Sequence, residues 1–368
     1  MFRRVLVWAV AVLATLVLAA CTDEDPRPAE QPGATPTSSA PTPAPASTGP
    51  TSPTSPSPSA DPGVTRLVVP AATDSWPSTW SEAFVIPYGK GPALLGTSPG
   101  GDSGSLDIGP EYGAAAPDGS WWFLDYAKGR LAHYDADGSY LGRVRIDRDL
   151  LVGGRYYQWQ LPHVLADGSL VAARHGDRDT FLYRVVDGEA DEVLVRGEFS
   201  PAYDDGVSLF GFVADGDTVQ VDPRTGALER VDFFTTPSGA RFSVRVDLDK
   251  ARLHVELPDS GVSRTLPMRT ASGARAHVGV EVRAGEDGRI HLFLVGAGED
   301  DETVQLVGYT SVSPTGTVSA VEGLPNPFSE ADPGSPAHLV MAPGSSTPML
   351  VYVLEDGVHV YERRSGAA

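Results

Sequence analysis

One dipeptide, Asp-Gly, recurs along this chain and constrains its fold more than any other feature. Between two short runs of alternating apolar residues it is the strongest short-range signal for a tight β-hairpin. Ala116-Pro117-Asp118-Gly119 leads into Ser120-Trp121-Trp122-Phe123-Leu124-Asp125, and Arg130-Leu131-Ala132-His133-Tyr134-Asp135 runs into Asp137-Gly138. The dipeptide returns at Asp167-Gly168, Asp187-Gly188, Asp215-Gly216 and Asp287-Gly288, with turns at Pro223-Arg224-Thr225-Gly226 and Pro314-Thr315-Gly316 between. Gly119, Gly168 and Gly216 open successive units 49 and 48 residues apart. Four short strands in a period of about 50 residues is the signature of propeller blades. The pattern predicts an all-β, six-bladed β-propeller over residues 66–368, with units at 110–147, 158–197, 206–235, 240–269, 275–323 and 336–364. The fourth unit is the least regular. Residues 66–88 carry two strand-like runs, Leu67-Val68-Val69 and Ala83-Phe84-Val85-Ile86. Both are expected to complete the last blade, closing the ring and removing its exposed edge.

The segments before the propeller read differently. Arg3-Arg4 and an apolar run from Val5 to Leu18 have the make-up of a signal peptide, residues 1–20. The run ends in Leu18-Ala19-Ala20-Cys21, which resembles the bacterial lipoprotein lipobox. That resemblance implies cleavage before Cys21, the only cysteine, and its acylation; two or more acyl chains anchor stably. Residues 21–65 form a Pro/Ser/Thr-rich linker with 12 prolines between Thr22 and Thr65. It has too few apolar residues to offset the entropy of ordering, so disorder is expected. In extended polyproline II form it would reach roughly 130 Å. The expected location is the extracytoplasmic face of the membrane. A bias of 25 arginines to 3 lysines fits a high-GC genome.

The first unit carries a family resemblance. Val85-Ile86-Pro87-Tyr88-Gly89, Gly109-Pro110, Pro117-Asp118-Gly119, Leu124-Asp125, Arg130, Tyr134-Asp135 and Gly138 together resemble the NHL-repeat and related TolB-like six-bladed propellers of secreted bacterial proteins. The match covers about 65 residues; later units keep the turns but lose the Asp…Arg pair. The resemblance implies a propeller that serves mostly as an interaction scaffold, with a minority of metal-dependent lyases and lactonases.

Charge excludes one class of function. The chain carries −20, of which the leader contributes +2 and the linker −4, leaving −18 on the propeller. Nucleic-acid phosphates would be repelled. Catalytic patterns are coincidental. Gly96-Thr97-Ser98-Pro99-Gly100 has the spacing of a nucleophile elbow, but Pro99 lacks the N–H an oxyanion hole needs. Gly101-Asp102-Ser103-Gly104 precedes every histidine, unlike the serine of trypsin-like enzymes. His163, His277 and His338 are each expected near the start of an inner strand, where strands from different blades converge at the channel mouth. Tyr112 and Phe210 occupy similar places in units one and three, and Trp159 lies in the loop leading into unit two. Three readings stay open for the histidines. They are polar residues lining a wet channel, they touch a ligand or partner, or they hold a metal, Zn²⁺ or Ca²⁺, with an open position for water. Trp76, Trp80 and Trp159 suit either packing or ligand contact. The combined expectation is a monomeric, lipid-anchored binding module without a cofactor, meeting an envelope protein or a small molecule through His163, His277, His338, Tyr112, Trp159 and Phe210. The alternative is a metal-dependent lyase or hydrolase built on the three histidines.

Overall fold

A computed structural model describes residues 64–97, 110, 112–146, 162–175, 178–186, 188–299, 305–327 and 337–364. The leader, Cys21, the linker up to residue 63 and Trp159 lie outside the described residues. Within them the chain forms six sheets arranged as a six-bladed propeller. No described helix is long and apolar enough to cross a membrane.

Blade 1 consists of Gly113–Ala115, Trp121–Asp125, Arg130–Tyr134 and Tyr140–Arg145. Blade 2 consists of His163–Val164, Leu170–His175, Thr180–Val186 and Glu189–Val195. Blade 3 comprises Phe199–Asp204, Leu209–Val213, Thr218–Val221 and Leu228–Arg230. Blade 4 comprises Phe234–Thr235, Arg241–Asp247, Arg252–Leu257 and Val262–Arg269. Blade 5 comprises Ala276–Ala284, Ile290–Gly298, Gln305–Val312 and Glu322–Gly323. Blade 6 contributes Ala337–Val340, Met349–Val353 and Gly357–Arg363. The first strand of each is the innermost.

The Asp-Gly turns form as their chemistry dictates. In blade 1 the Ser120 N–H donates to Asp118 Oδ1 at 2.9 Å, and Gly119 N–H donates to Ala116 O at 3.0 Å. Gly119 sits at φ +85°, a left-handed conformation that glycine adopts without steric cost. Asp167, Asp215 and Asp287 accept from the N–H two residues on in the same way.

Two expected boundaries need correction. Blades 3 and 4 start at Phe199 and Phe234, earlier than residues 206 and 240. Each inner strand precedes its first turn, and blade 4 makes that turn with Pro237-Ser238-Gly239, which lacks the Asp-Gly signal. The closing segment also divides. Trp80–Pro87 pairs antiparallel with Gly357–Arg363 as the outermost strand of blade 6, closing the ring as expected. Leu67–Val68 instead pairs parallel with Val262–Arg269 and extends blade 4. Between them Ala71 bridges to Leu306 and Thr73 to Pro325, along blade 5. Residues 67–87 therefore strap three blades together. Parallel pairing explains the split: the strand enters from another part of the chain, so no local turn announces its partner.

The core lies between blades. Blades 6 and 1 share Phe84, Ile86, Trp121, Phe123 and Val360, and blades 1 and 2 share Leu124, Leu131, Val164 and Val185. Blade sheets are thus buried on both faces, so a charged group on an inner strand must either pair or face the channel. The Asp…Arg pair of blade 1 is a structural element of this packing. Arg130 Nε donates to Asp125 Oδ2 at 2.8 Å, and its Nη atoms reach Pro92 O and Leu94 O. Asp125 Oδ1 also accepts from Gly96 N–H at 3.2 Å. One buried ion pair therefore pins residues 91–96 onto the blade.

Candidate functional site

The inner strands bring a chain of polar side chains together across the blades. His163 opens the inner strand of blade 2 and is 3% exposed. Its Nδ1 lies 2.7 Å from Asp204 Oδ2, at the end of the inner strand of blade 3. Asp204 Oδ1 accepts from Gly206 N–H at 3.1 Å. An ionised carboxylate only accepts, so the imidazole proton sits on Nδ1 and donates to Asp204. In the neutral form of the ring, Nε2 is then left as an acceptor. That atom is buried and has no partner among the described residues.

Blade 3 connects onward to blade 5. Blade 4 has only two residues in its innermost strand, and Phe234 there packs in the core. Arg283 of blade 5 reaches past it to Ala202 O in blade 3 at 3.0 Å. The same guanidinium donates to Glu281 Oε1 at 3.0 Å and to Val282 O at 2.7 Å. Glu281 Oε2 accepts from Leu339 N–H of blade 6 at 2.8 Å and lies 3.7 Å from His338 Nδ1. At that length the His338 contact is electrostatic; it is too long for a hydrogen bond. Burial pushes the Glu281 carboxyl up, but Arg283, His338 and the Leu339 N–H outweigh it and hold the carboxyl below its ordinary range. The His338 ring stands 4.9 Å from Tyr112, just before the inner strand of blade 1, and its Nε2 is likewise buried without a described partner.

The result is a polar belt: His163, Asp204, Arg283, Glu281, His338 and Tyr112, drawn from blades 2, 3, 5, 6 and the approach to blade 1. Tyr203, beside Asp204, has a buried hydroxyl with no described partner. Burial, with Asp204 and Asp205 nearby, pushes its phenol well above the ordinary value. Chemically the belt offers one imidazole held by a carboxylate, a second that lies near one without a hydrogen bond, and one buried guanidinium.

Of the residues expected at the mouth, the belt includes His163, His338 and Tyr112. His277 does not join them. It sits four residues before Glu281 on the same strand, about 13 Å away along it, and its Nδ1 contacts Leu248 O at 2.9 Å. A three-imidazole metal centre is therefore not formed, and the described residues hold no group of three or more His, Cys, Asp or Glu placed to bind a metal. Phe210 is also corrected. It belongs to the second strand of blade 3, fully buried against Tyr203 and Phe234, because that blade starts earlier than expected. Trp76 and Trp80 pack: Trp76 stacks on Tyr361 at 3.7 Å, and Trp80 Nε1 donates to Glu322 at 3.2 Å. Trp159 and Cys21 lie outside the described residues.

Asp204, Glu281 and Arg283 are not among the residues expected from the sequence. A signal for two of them existed: charges at i and i+2 in the apolar run Val278-Gly279-Val280-Glu281-Val282-Arg283 share one face of a doubly buried strand.

A family model described as a domain of unknown function (DUF7485) matches residues 78–363. No curated protein matches the chain. Among solved structures, the chain is similar to a protein of unknown function from Bacteroides thetaiotaomicron, at 12% identity and TM-score 0.45, covering 77% of this chain and 75% of that one. It is also similar to a calcium-binding protein, regucalcin, from Agrobacterium tumefaciens, at 11% identity and TM-score 0.41, covering 81% and 95%. A third is a catalytically inactive virginiamycin B lyase from Staphylococcus aureus with quinupristin, at 10% identity and TM-score 0.38, covering 73% and 88%.

Proposed function

The chain belongs to the family described as a domain of unknown function (DUF7485), and we propose that it is a lipid-anchored, extracytoplasmic propeller that binds a partner or ligand at the mouth of its channel. The observation that supports this reading is the buried Nε2 of His163, without a partner among the described residues, on a ring held by Asp204 inside the polar belt. A buried acceptor left bare costs about 1–3 kcal/mol. A bound molecule that donates to it recovers that cost, so the fold is poised to gain from occupancy. The lipobox-like Leu18-Ala19-Ala20-Cys21 and the Pro-rich linker suit presentation at a distance from the membrane. The NHL-like character of the first blade fits a scaffold role.

The test is crosslinking on intact cells that express the full chain, comparing wild type with Cys21→Ser and with the double variant His163→Ala, His338→Ala. The expected result is a crosslinked partner or ligand adduct that the double variant loses, and release of the chain from the membrane fraction in Cys21→Ser. Capture unchanged by the double variant would sink the channel-mouth reading. A Cys21→Ser chain still held in the membrane would sink the lipid anchor.

A further inference from the structure

Resting on the channel-mouth reading above, we propose that the ligand of this site is a protonated amine, which donates an N–H to Nε2 of His163. The first argument is the direction of the hydrogen bond. With its proton on Nδ1 facing Asp204, the His163 ring has only an acceptor to offer at Nε2. A carboxylate, a phosphate or a bare carbonyl oxygen brings only acceptors and is refused there. His338 adds a second buried Nε2 without a described partner, but its Nδ1 stands 3.7 Å from Glu281, so no hydrogen bond fixes its tautomer and the argument rests on His163.

The second argument is charge. Asp204, Asp205 and Glu286 all act on the Tyr203 hydroxyl beside the His163–Asp204 pair, against one guanidinium, Arg283. The balance beside Asp204 is negative, on a propeller that carries −18 overall. Low-dielectric walls focus such a field, so a cation is favoured over a neutral donor. The third argument is ligand count. A tetrahedral metal needs three or four protein ligands, and the described residues gather no such group. An ammonium needs one good acceptor and nearby negative charge, which is what His163 and its neighbours supply.

A four-carbon series tests the idea with one variable, the head group: 1,4-diaminobutane, butane-1,4-diol and succinate. Melting of the full chain would be followed at pH 8 and constant ionic strength, where an alkyl amine is protonated and free imidazole is neutral. The diamine is expected to raise Tm in a saturable way while the diol and succinate do not. His163→Phe should weaken diamine binding at least tenfold, and His163→Gln, which restores an acceptor oxygen, should recover part of it. Imidazole ¹⁵N spectra of the wild-type chain give an independent check if His163→Phe fails to fold. They should show Nδ1 protonated and the Nε2 resonance moving on diamine addition.

The proposal is overturned if the diol or succinate stabilises as well as the diamine, or if the diamine shift survives in a folded His163→Phe. It is also overturned if no probe acts, or if Zn²⁺ alone gives the His163-dependent shift. If the amine fails while crosslinking still depends on His163 and His338, the channel-mouth function stands and only its ligand chemistry is wrong. If crosslinking is indifferent to both residues, the function itself fails.

Discussion

Blade 1 and blade 4 use the same turn and reach different ends. In blade 1, Ala116-Pro117-Asp118-Gly119-Ser120 joins the inner strand to the second; in blade 4, Thr236-Pro237-Ser238-Gly239-Ala240 does so. Gly119 and Gly239 adopt nearly the same φ, +85° and +87°. Each donates its N–H to the residue three back, Ala116 O at 3.0 Å and Thr236 O at 2.8 Å. Yet blade 1 is held from within by a buried Asp125–Arg130 pair, while blade 4 borrows a strand, Leu67–Val68, from the start of the domain. The inner strand of blade 4 is short enough for Arg283 to reach across to blade 3. Local turn chemistry makes the hairpins. What lies outermost and innermost in each blade is decided by distant parts of the chain.

The sharpest way to test that contrast is through ion pairs. Arg130 and Asp125 are 1% and 0% exposed. In Arg130→Ala the carboxylate stays buried, having lost its charge partner. Loss of one partner of a buried pair costs about 3–5 kcal/mol, and here it also takes the guanidinium donor from Pro92 O, while Leu94 O keeps that of Lys128 Nζ. An ion pair of blade 4, Arg241–Asp259, is 53% and 42% exposed. Arg241→Ala is expected to leave stability almost unchanged, because solvent screens the exposed pair. Urea midpoints of the two variants check the difference. Equal midpoints would mean that residues 91–96 do not depend on the blade 1 pair.

The strap gives a smaller effect. Leu67 is buried in the core that blades 3, 4 and 5 share. Leu67→Ala should cost about 2–3 kcal/mol, the lower part of the range for buried leucines, because the site lies on a two-residue edge strand. Location matters more than size here. Native-state hydrogen exchange should show amides of Val262–Arg269 losing protection before those of Arg130–Tyr134. Uniform loss across both blades would show that blade 4 does not lean on its borrowed strand.

The same contrast explains what was legible in the sequence. The hairpin turns declare themselves through Asp118-Gly119, Asp167-Gly168 and Asp287-Gly288, because the aspartate side chain and the glycine act within four residues. The 49-residue step from Gly119 to Gly168 joins equivalent turns, but Gly216 lies in the second turn of blade 3, whose first turn holds Asp205-Gly206, so the 48-residue step joined unlike turns. Blade 4 began six residues early because serine replaces aspartate in its turn, with the hydroxyl of Thr236 accepting from Ala240 N–H instead. The parallel strand Leu67–Val68 had no local mark at all. At the channel, His163, His338 and Tyr112 were visible as polar or aromatic residues before a turn. Asp204 was not, since a register shift between Pro201 and Tyr203 breaks the alternation that would have placed it. Phe210 was misplaced for the same blade's early start. His277 shows the limit of counting from turns: blade 5 has a nine-residue inner strand, so a position at its beginning lies far from the belt.

The smallest expected effect concerns pH and again belongs to blade 1. His133 stacks on Trp122, with ring centroids 4.0 Å apart and planes 5° from parallel, and its Nε2 contacts Ser120 Oγ at 2.9 Å. Burial lowers its pKa, and Asp118 offsets only part of that. The unfolded chain therefore takes up a proton near pH 6.5, while the folded blade holds the ring neutral to lower pH. Stability linked to this group is complete above about pH 6.5 and is lost as pH falls toward the folded value. His133→Gln keeps a hydrogen-bonding side chain but does not titrate, so its urea midpoint should fall less than that of the wild type between pH 7 and pH 5. Because the ring is only partly buried, the difference should be smaller than the cost of Leu67→Ala. A wild-type midpoint that falls no more than the variant's would mean that the protonated ring is tolerated against Trp122. The stack would then draw on the positive charge, as cation–π pairs do, and blade 1 would owe its rigidity to Asp125 and Arg130 without help from His133.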